Sequence, residues 1–258
     1  QGCFEKSYSF ASTNYHIKLK SSYGSGISSY IGNISSADRM NISAGGYYYG
    51  ADNYQLTDGA TGMGTISIAE DGTLTYQSIT GATADSTVNP TERMRIDSNG
   101  NLLVGKTSVA FSTAGIELKA DNVISVTRSA GTCINANRIG SSAGSVIIMH
   151  YDGVDVGSID VTASATSYNT SSDQRLKENI ADADDAGSKI DAIQVRKFDW
   201  KADGSHQDYG MVAQELQVVA PEAVSAPEDP EEMMGVDYSK LVPMMLKEIQ
   251  SLRARIAA

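Results

Sequence analysis

The run Ser171-Ser172-Asp173-Gln174-Arg175-Leu176-Lys177-Glu178-Asn179-Ile180 separates two segments of different composition and decides how the chain is divided. Upstream of it the chain is rich in Gly, Ser, Thr, Asn, Tyr and β-branched residues, in short alternating stretches that favour strands. Downstream of it the sequence becomes more acidic and compatible with helices. We therefore expect two domains, residues 1–171 and 172–258.

The same run places a hydroxyl five residues ahead of an amine. A serine becomes a useful nucleophile when a base removes its proton, and a lysine can act as that base if its pKa falls from roughly 10.4 toward neutrality. Ser172 and Lys177 are therefore a candidate catalytic dyad. Five residues of an ideal helix turn through about 140°, so the two side chains cannot share one helical face. Either Ser172 lies in a loop before a helix, or the lysine comes from another chain.

A simpler interpretation needs no chemistry. Ser172 and Asp173 can cap the first turn of a helix, with Lys177 on its solvated face. For an isolated Ser-Asp-x-x-x-Lys pattern this interpretation is the more common one.

Three blocks of the sequence together resemble one family. The run from Ser172 to Ile180 resembles the start of the C-terminal intramolecular chaperone of phage tailspikes and tail fibres, the endosialidase type. Tyr209-Gly210-Met211-Val212-Ala213-Gln214-Glu215-Leu216 and Val236-Asp237-Tyr238-Ser239-Lys240-Leu241-Val242-Pro243 resemble its two later motifs, in the same order. Members of that family help a fibre to fold and then cut themselves off it.

The resemblance implies a cleavage site between Ser171 and Ser172. Ser172 Oγ would attack the carbonyl of Ser171, with Lys177 as the base, and Ser172 would become a new N-terminus. Arg175 would hold either the oxyanion or Asp173, although a surface ion pair is an equally good interpretation.

Other residues of the C-terminal segment receive roles from the same resemblance. His206 lies just before the Gly-Met-Val-Ala-Gln box, where a histidine assists cleavage in some relatives, so it is a candidate supporting residue. Gln214 and Glu215 are expected to be polar anchors of the chaperone fold. Trp200 is expected to lie in the core.

Turn-forming dipeptides punctuate the upstream segment. Asp71-Gly72, Asn99-Gly100 and Asp152-Gly153 each separate two short apolar stretches. Asn-Gly and Asp-Gly supply the positive φ angles that two-residue hairpins require. We therefore predict a mainly β segment, and expect its faces and edges to be covered by partner chains in an intertwined trimer.

The chain ends in a predicted helix from about Tyr238. Its apolar residues are spaced by three and four positions, which is the seam of a short coiled coil. These residues are the candidate trimerisation stripe: Val242, Met245, Ile249, Leu252 and Ile256.

Composition and residue pattern argue against several kinds of function. The formal net charge of -11 disfavours binding to nucleic acid or to an anionic membrane, and no apolar run is long enough to insert into a bilayer. Cys3 and Cys133 match no metal-ligand spacing and are too far apart in sequence to favour a disulfide, so we expect buried thiols, no metal and no cofactor. Acidic residues are scattered, without the paired carboxylates of a glycosidase.

The sequence therefore predicts a β-rich tail-fibre shaft or receptor-binding region followed by a smaller α+β chaperone domain that ends in a coiled-coil-like helix. Expected partners are two further copies of the chain, a host cell-surface glycan or protein, and upstream fibre or tail proteins. Tyr47, Tyr48 and Tyr49 are possible receptor contacts, although packing between strands is an alternative role. We expect folding in the host cytoplasm and residence in the virion tail. The alternative is a structural receptor-binding adhesin whose chaperone-like domain stays attached and does not cleave.

Overall fold

The computed structural model describes residues 4–7, 14–20, 28–34, 39–50, 53–56, 59–140 and 142–257. The chain divides into two compact units, Gln1–Asn169 and Thr170–Ala258. The first is built from strands, and the second combines short strands with helices.

The first unit contains sixteen strands among its described residues, the last of which ends at Thr170. They are β1 (Phe4–Ser7), β2 (Asn14–Lys20), β3 (Ser28–Ile34), β4 (Arg39–Ala44), β5 (Gly46–Gly50), β6 (Asn53–Leu56), β7 (Gly62–Ala69), β8 (Leu74–Thr80), β9 (Thr87–Val88), β10 (Thr91–Ile96), β11 (Leu102–Val104), β12 (Gly115–Leu118), β13 (Ile124–Thr127), β14 (Gly144–Tyr151), β15 (Val154–Val161) and β16 (Thr166–Thr170).

Ten of these strands form one antiparallel sheet in the order β1-β2-β3-β4-β7-β8-β10-β11-β12-β13. Three strands that alternate with it in sequence, β5, β6 and β9, form a separate three-stranded sheet. A small core is formed by the buried side chains of Tyr54, Leu56, Ala60, Met63 and Val88. Of these residues, Met63 lies on a strand of the large sheet, β7. The β-rich character expected from the sequence is confirmed.

The two faces of the large sheet differ in polarity. On β4 and β7, four of the five buried side chains are polar, namely Asn41, Ser43, Thr65 and Ser67, and the fifth is Met63 of the small core. The residues that alternate with them are apolar and exposed: Met40, Ile42, Ile66 and Ile68. Because successive side chains of a strand point to opposite faces, these two strands keep a mostly polar face inside and an apolar face outside.

The predicted hairpins form, but two of them use a different loop. Gly72 N donates to Ala69 O at 3.0 Å, Ala69 N donates to Thr73 O at 2.9 Å, and Gly72 has a φ of 84°. This is a turn followed by a left-handed residue, the geometry of a three-residue loop with a bulge. The loop at Asn99-Gly100 repeats it, with Gly100 N bonded to Asp97 O at 2.9 Å.

The expectation of two-residue loops at these two positions was therefore wrong. Glycine is needed there for one left-handed position at the end of the loop. At Asp152-Gly153 the prediction is confirmed: Tyr151 pairs with Val154, and both loop residues have positive φ. A further loop of the longer kind, from Lys119 to Val123, carries Asn122 in the left-handed position and went unpredicted.

A buried ion pair fixes the connection between β11 and β12. Lys106 Nζ contacts Glu117 Oε1 and donates to Ala110 O at 2.6 Å and Thr113 O at 3.1 Å. The ammonium group lowers the pKa of the Glu117 carboxyl, and the hydrogen bond from Ala110 N lowers it further. The loop 105–114 is thus held by a side chain that lies inside it.

The strands that follow have no comparable interior. β14, β15 and β16 form a three-stranded sheet of their own. From residue 126 to residue 185, none of the residues that the structure describes is buried. Cys133, for which we expected a buried thiol, is exposed in this stretch because no core is present to receive it, and Cys3 lies outside the described residues.

The second unit is assembled from short elements. They are a 3₁₀ turn (Gln174–Leu176), α1 (Gly187–Ala192), β17 (Arg196–Asp199), β18 (His206–Gly210), α2 (Ala213–Val219), a 3₁₀ turn (Pro221–Ala223), β19 (Val224–Ser225), β20 (Gly235–Val236), a 3₁₀ turn (Tyr238–Leu241) and α3 (Val242–Ala257). Its core contains Leu216, Ala220, Ala223 and Leu241. The C-terminal helix is confirmed, with its first turn in the 3₁₀ conformation.

Trp200 is not a core residue, contrary to expectation. Its side chain is 53% exposed, and it meets Phe198 edge to face at a centroid distance of 5.3 Å. Trp200 comes directly after β17 and at the start of the turn to β18, where Gly204 N donates to its carbonyl. The buried side of the unit is formed by α2 and its neighbours instead.

Candidate active site

One short turn brings the predicted dyad together. Asp173 is extended and caps the 3₁₀ turn from Gln174 to Leu176, and Lys177 ends that turn in an extended conformation. A 3₁₀ helix has three residues per turn, so Asp173 and Lys177, the extended residues on either side of this turn, lie near each other. Ser172 comes directly before Asp173 and is therefore also close to Lys177. Ser172 lies before the turn, as the helical geometry required, and the lysine is supplied by the same chain.

The amine of Lys177 contacts the hydroxyl of Ser172 directly. Lys177 Nζ lies 2.7 Å from Ser172 Oγ and 3.0 Å from Ser172 O. As an ammonium group, Lys177 donates to both oxygens. As a neutral amine, it can accept the Ser172 hydroxyl proton over the same 2.7 Å, which is the geometry that general-base activation of a serine needs.

Asp173 and Arg175 stabilise the turn that carries the dyad. Asp173 accepts a hydrogen bond from Arg175 N at 2.8 Å, and the Arg175 guanidinium binds both carboxylate oxygens, at 3.0 and 2.8 Å. The guanidinium and the backbone N–H both lower the pKa of Asp173. Arg175 thus holds Asp173 in an exposed ion pair, which fits two of the roles considered for it, and a role at the oxyanion stays a prediction.

His206 lies on β18, opposite Asp199 of β17. Its Nδ1 is 2.5 Å from Asp199 Oδ1, and its Nε2 is 3.4 Å from Asp208 Oδ1. The hydrogen-bond partner of the Ser172 hydroxyl is Lys177. A supporting role of His206 in cleavage stays a prediction.

The Gly-Met-Val-Ala-Gln-Glu box runs from the end of β18 into α2. It contacts β17 twice, through a close packing contact at Gly210 and through an ion pair at Glu215. A Cβ atom on Gly210 would lie 2.6 Å from the Phe198 ring, so only glycine fits there without a shift. Arg196 binds Glu215 through two hydrogen bonds of 3.0 and 2.9 Å, which join β17 to α2 and lower the pKa of the Glu215 carboxyl. Glu215 is an anchor of the fold, as expected.

The apolar stripe of α3 is exposed in the single chain. Its members Val242, Met245, Ile249, Leu252 and Ile256 are between 41% and 85% exposed. No residue of α3 is buried, although Met244 packs against the core from this helix. The stripe is therefore available to a partner, and its role in trimerisation stays a prediction.

The tyrosine cluster on β5 is described only in part. Tyr47 is partly buried and lies opposite Gln55 of β6. The side chains of Tyr48 and Tyr49 lie outside the described residues. A receptor contact at these positions stays a prediction.

A polar cavity of about 340 Å³, which was not predicted, lies on the inner face of the large sheet. Its lining includes Arg39, Asp71, Thr75, Glu92 and Arg95, which come from three strands and one loop. Arg95 is bound to Glu92 through hydrogen bonds of 2.6 and 2.7 Å, so two of these charges neutralise each other.

Two kinds of feature, a metal-binding cluster and a membrane-spanning helix, are absent from the residues that the structure describes. Within those ranges, His, Cys, Asp and Glu side chains form no group of three or more that could hold a metal ion. None of the helices described there has the length and apolarity that a membrane crossing requires.

Residues 172–225 match the model of a peptidase family described as "Chaperone of endosialidase". Residues 172–225 are an endosialidase-type chaperone domain. The chaperone domain begins at the candidate nucleophile and contains the box from Tyr209 to Leu216, which confirms the resemblance. The third block, from Val236 to Pro243, follows the matched range. No curated protein and no solved structure matches the chain.

Proposed function

We propose that the chain is the distal part of a homotrimeric phage tail fibre or tailspike whose chaperone domain guides assembly and then cuts the Ser171–Ser172 bond. The observation that carries this proposal is the 2.7 Å contact between Lys177 Nζ and Ser172 Oγ at the first residue of the chaperone domain. The family of self-cleaving chaperones supplies the class of reaction, and the dyad supplies the groups that would perform it.

The proposed reaction consumes one peptide bond and one water molecule. Lys177 takes the Ser172 hydroxyl proton while Oγ bonds to the carbonyl carbon of Ser171. The carbon–nitrogen bond then breaks, and Lys177 returns the proton to the nitrogen of Ser172. Water hydrolyses the resulting ester and leaves a carboxylate on Ser171 and a free amine on Ser172. Because nucleophile and substrate belong to one chain, each chain reacts once.

Cleavage after assembly would make the fibre hard to unfold. The chaperone domain would hold three chains in register, and its loss would remove the element that could reverse the process. This is kinetic stability rather than equilibrium stability. The released fibre would stay attached to upstream fibre or tail proteins in the virion tail and bind a host-surface glycan or protein, after folding in the host cytoplasm.

Intact-mass measurement of freshly folded protein tests the cleavage. The parent chain should separate into pieces of 171 and 87 residues. Ser172→Ala should remain whole and still assemble, whereas Ser171→Ala should still be cut because it keeps the nucleophile. Cleavage of Ser172→Ala at the rate of the parent would overturn the assignment of Ser172.

The role of Lys177 is tested by two substitutions that differ in one property. Lys177→Ala removes both the positive charge and the base. Lys177→Arg keeps a positive hydrogen-bond donor near Ser172, but a guanidinium does not deprotonate in proteins. Both variants should remain uncut. Normal cleavage of Lys177→Arg would show that the lysine contributes charge or position and that another group is the base.

The exposure of the dyad supports one other function. Ser172 and Lys177 are both exposed in the single chain, rather than enclosed in a site that excludes water. A chain that never cleaves would be a structural receptor-binding adhesin with a permanently attached chaperone-like domain. An intact mass after assembly of the parent chain would favour this function.

A further inference from the structure

The exposed face of the large sheet carries two continuous rows of apolar side chains. Each row crosses seven neighbouring strands, from β4 to β13, and every contact along it is a direct cross-strand pairing. One row is Met40, Ile68, Leu74, Ile96, Leu102, Leu118 and Ile124. The other is Ile42, Ile66, Tyr76, Met94, Val104, Ile116 and Val126. We call the two rows together the apolar face.

The apolar face is uncovered in the single chain. Ten of its fourteen side chains are exposed, the other four are partly buried, and none is fully buried. The opposite face of β4 and β7 buries polar side chains, so the usual arrangement of a water-facing sheet is inverted. Monomeric proteins rarely expose contiguous apolar patches larger than a few hundred Å².

The size of the face matches a protein interface. Its ten exposed members present on the order of 800 Å², which is about what one partner contributes to a standard protein–protein interface. Aligned aliphatic and aromatic pairs also form a regular surface, and a second surface of the same kind can pack against it side chain to side chain.

The net charge of the chain indicates which partner binds the apolar face. The chain carries a formal net charge of -11, whereas none of the fourteen side chains of the apolar face is charged. Two copies of an acidic chain repel each other over most of their surfaces, and an uncharged face is where they can meet. The same net charge disfavours an anionic lipid surface as the occupant.

We propose that the apolar face is the surface through which the β-rich units of this chain associate with one another. The proposal rests on the assembly included in the proposed function and is independent of cleavage. It assigns the self-association of the first unit to residues other than the stripe of α3.

Two valines form a matched pair for the test. Val104 lies in the apolar face and is 38% exposed, whereas Val109 lies in the loop 105–114 and is 44% exposed. In a chain that carries Cys3→Ser, Cys133→Ser and Ser172→Ala, each valine is replaced in turn by cysteine. The labelling rate of the new thiol with a maleimide is then measured at concentrations at which sedimentation shows an assembled protein.

We expect the thiol of Val104→Cys to react at least tenfold more slowly than that of Val109→Cys in the assembled protein. The two rates should converge when dilution separates the chains. Equal rates in the assembled protein would overturn the proposal and leave self-cleavage standing. So would a protein that remains monomeric, or protection that appears only when lipid vesicles are added.

A second pair of variants tests the energetics. Val104→Asp places a charge in the proposed interface and should raise the dissociation constant of the assembly roughly tenfold or more, while Val109→Asp should leave it unchanged. Both positions are exposed, so the circular dichroism spectrum of the dilute chains should match that of the parent. An unchanged dissociation constant for Val104→Asp would overturn the proposal.

Discussion

Residues 39–125 and residues 126–185 both form antiparallel strands, but only the first stretch buries side chains among its described residues. The first has a small core and a buried ion pair between Lys106 and Glu117. The second has three hydrogen-bonded strands and exposed apolar side chains such as Ile148 and Tyr168.

The difference shows that strand pairing and core formation are separate requirements. A small sheet without a packed face is marginal in water, because hydrogen bonds to the solvent replace those of the strands at little cost. We therefore expect the first stretch to be stable in a single chain and the second to depend on association. The dyad turn lies in the second stretch, so cleavage should depend on association too.

The largest effect is expected from Ile249→Asp at the centre of the α3 stripe. Each stripe side chain contributes roughly 1.5 to 3 kcal/mol when it is fully buried, and a charge inside such a seam costs several kcal/mol. The variant should lose its trimers in sedimentation experiments and show a lower fraction of cleaved chains. Residues 126–185 should be digested rapidly by a protease, while residues 39–125 resist it.

Gln250→Asp is the matched control, since it adds the same charge on an exposed position of the same helix, outside the stripe. It should leave assembly and cleavage unchanged. If Ile249→Asp is trimeric, cleaved and resistant to protease, then association is encoded elsewhere.

A smaller effect on stability is expected from Gly→Ala substitutions at two glycines, one in each stretch. A Cβ on Gly62 would lie 2.7 Å from Ile79 O, and a Cβ on Gly157 would lie 2.8 Å from Asn169 O. Each Gly→Ala substitution therefore forces a backbone shift, which costs roughly 1 to 3 kcal/mol. Thermal unfolding of the dilute chain should register the cost at Gly62 and not at Gly157.

At concentrations that favour assembly, Gly157→Ala should become destabilising as well, because the strands around it are then ordered. A loss of stability at Gly157 in the dilute chain equal to that at Gly62 would contradict the comparison.

The smallest effect is expected from Arg175→Ala. The Arg175 guanidinium keeps the pKa of Asp173 below its ordinary value of 3.8, so the stability that the carboxylate lends to the turn is present above that value. It is lost as the pH falls through the lowered pKa. Because the pair is exposed, water and dissolved ions screen it, and its contribution to the stability of the turn is small.

The pH–rate profile of cleavage measures this effect. The parent should keep the turn, and with it the contact between Ser172 and Lys177, until the pH falls through the lowered pKa of Asp173. In Arg175→Ala the acid limb should move to higher pH with a rate loss of less than about tenfold. An acid limb at the same pH in both proteins would show that the pair does not hold the turn.

Local features of the fold could be predicted from the sequence because they depend on a few neighbouring residues. Asp-Gly and Asn-Gly pairs marked three hairpins, and the structure agrees with one of the two alternatives left by the 140° argument, in which Ser172 precedes the turn. The loop types at Gly72 and Gly100 could not be predicted, since a positive φ serves two-residue and three-residue loops equally well. Asn122 performs the same function without glycine and left no signal.

Features that depend on distant residues were missed or assigned wrongly. Alternation on β4 and β7 shows that one face is apolar but not whether that face is inside, and here it is outside. Trp200 was assigned to the core by its size, whereas its place at the end of β17 exposes it. The polar cavity joins Arg39 to Arg95 across several strands, which one sequence does not bring together.

During synthesis, the apolar face is complete before the chaperone segment has been made. A ribosome completes the two rows at Val126, about 100 residues before the end of the range that matches the chaperone family, at residue 225. At 5 to 20 residues per second, that interval is on the order of ten seconds. Neighbouring chains on one messenger RNA carry the same bare surface during this time. The interval therefore favours association between nascent chains of a single polysome, and a shorter spacing between ribosomes should raise the yield of assembled protein.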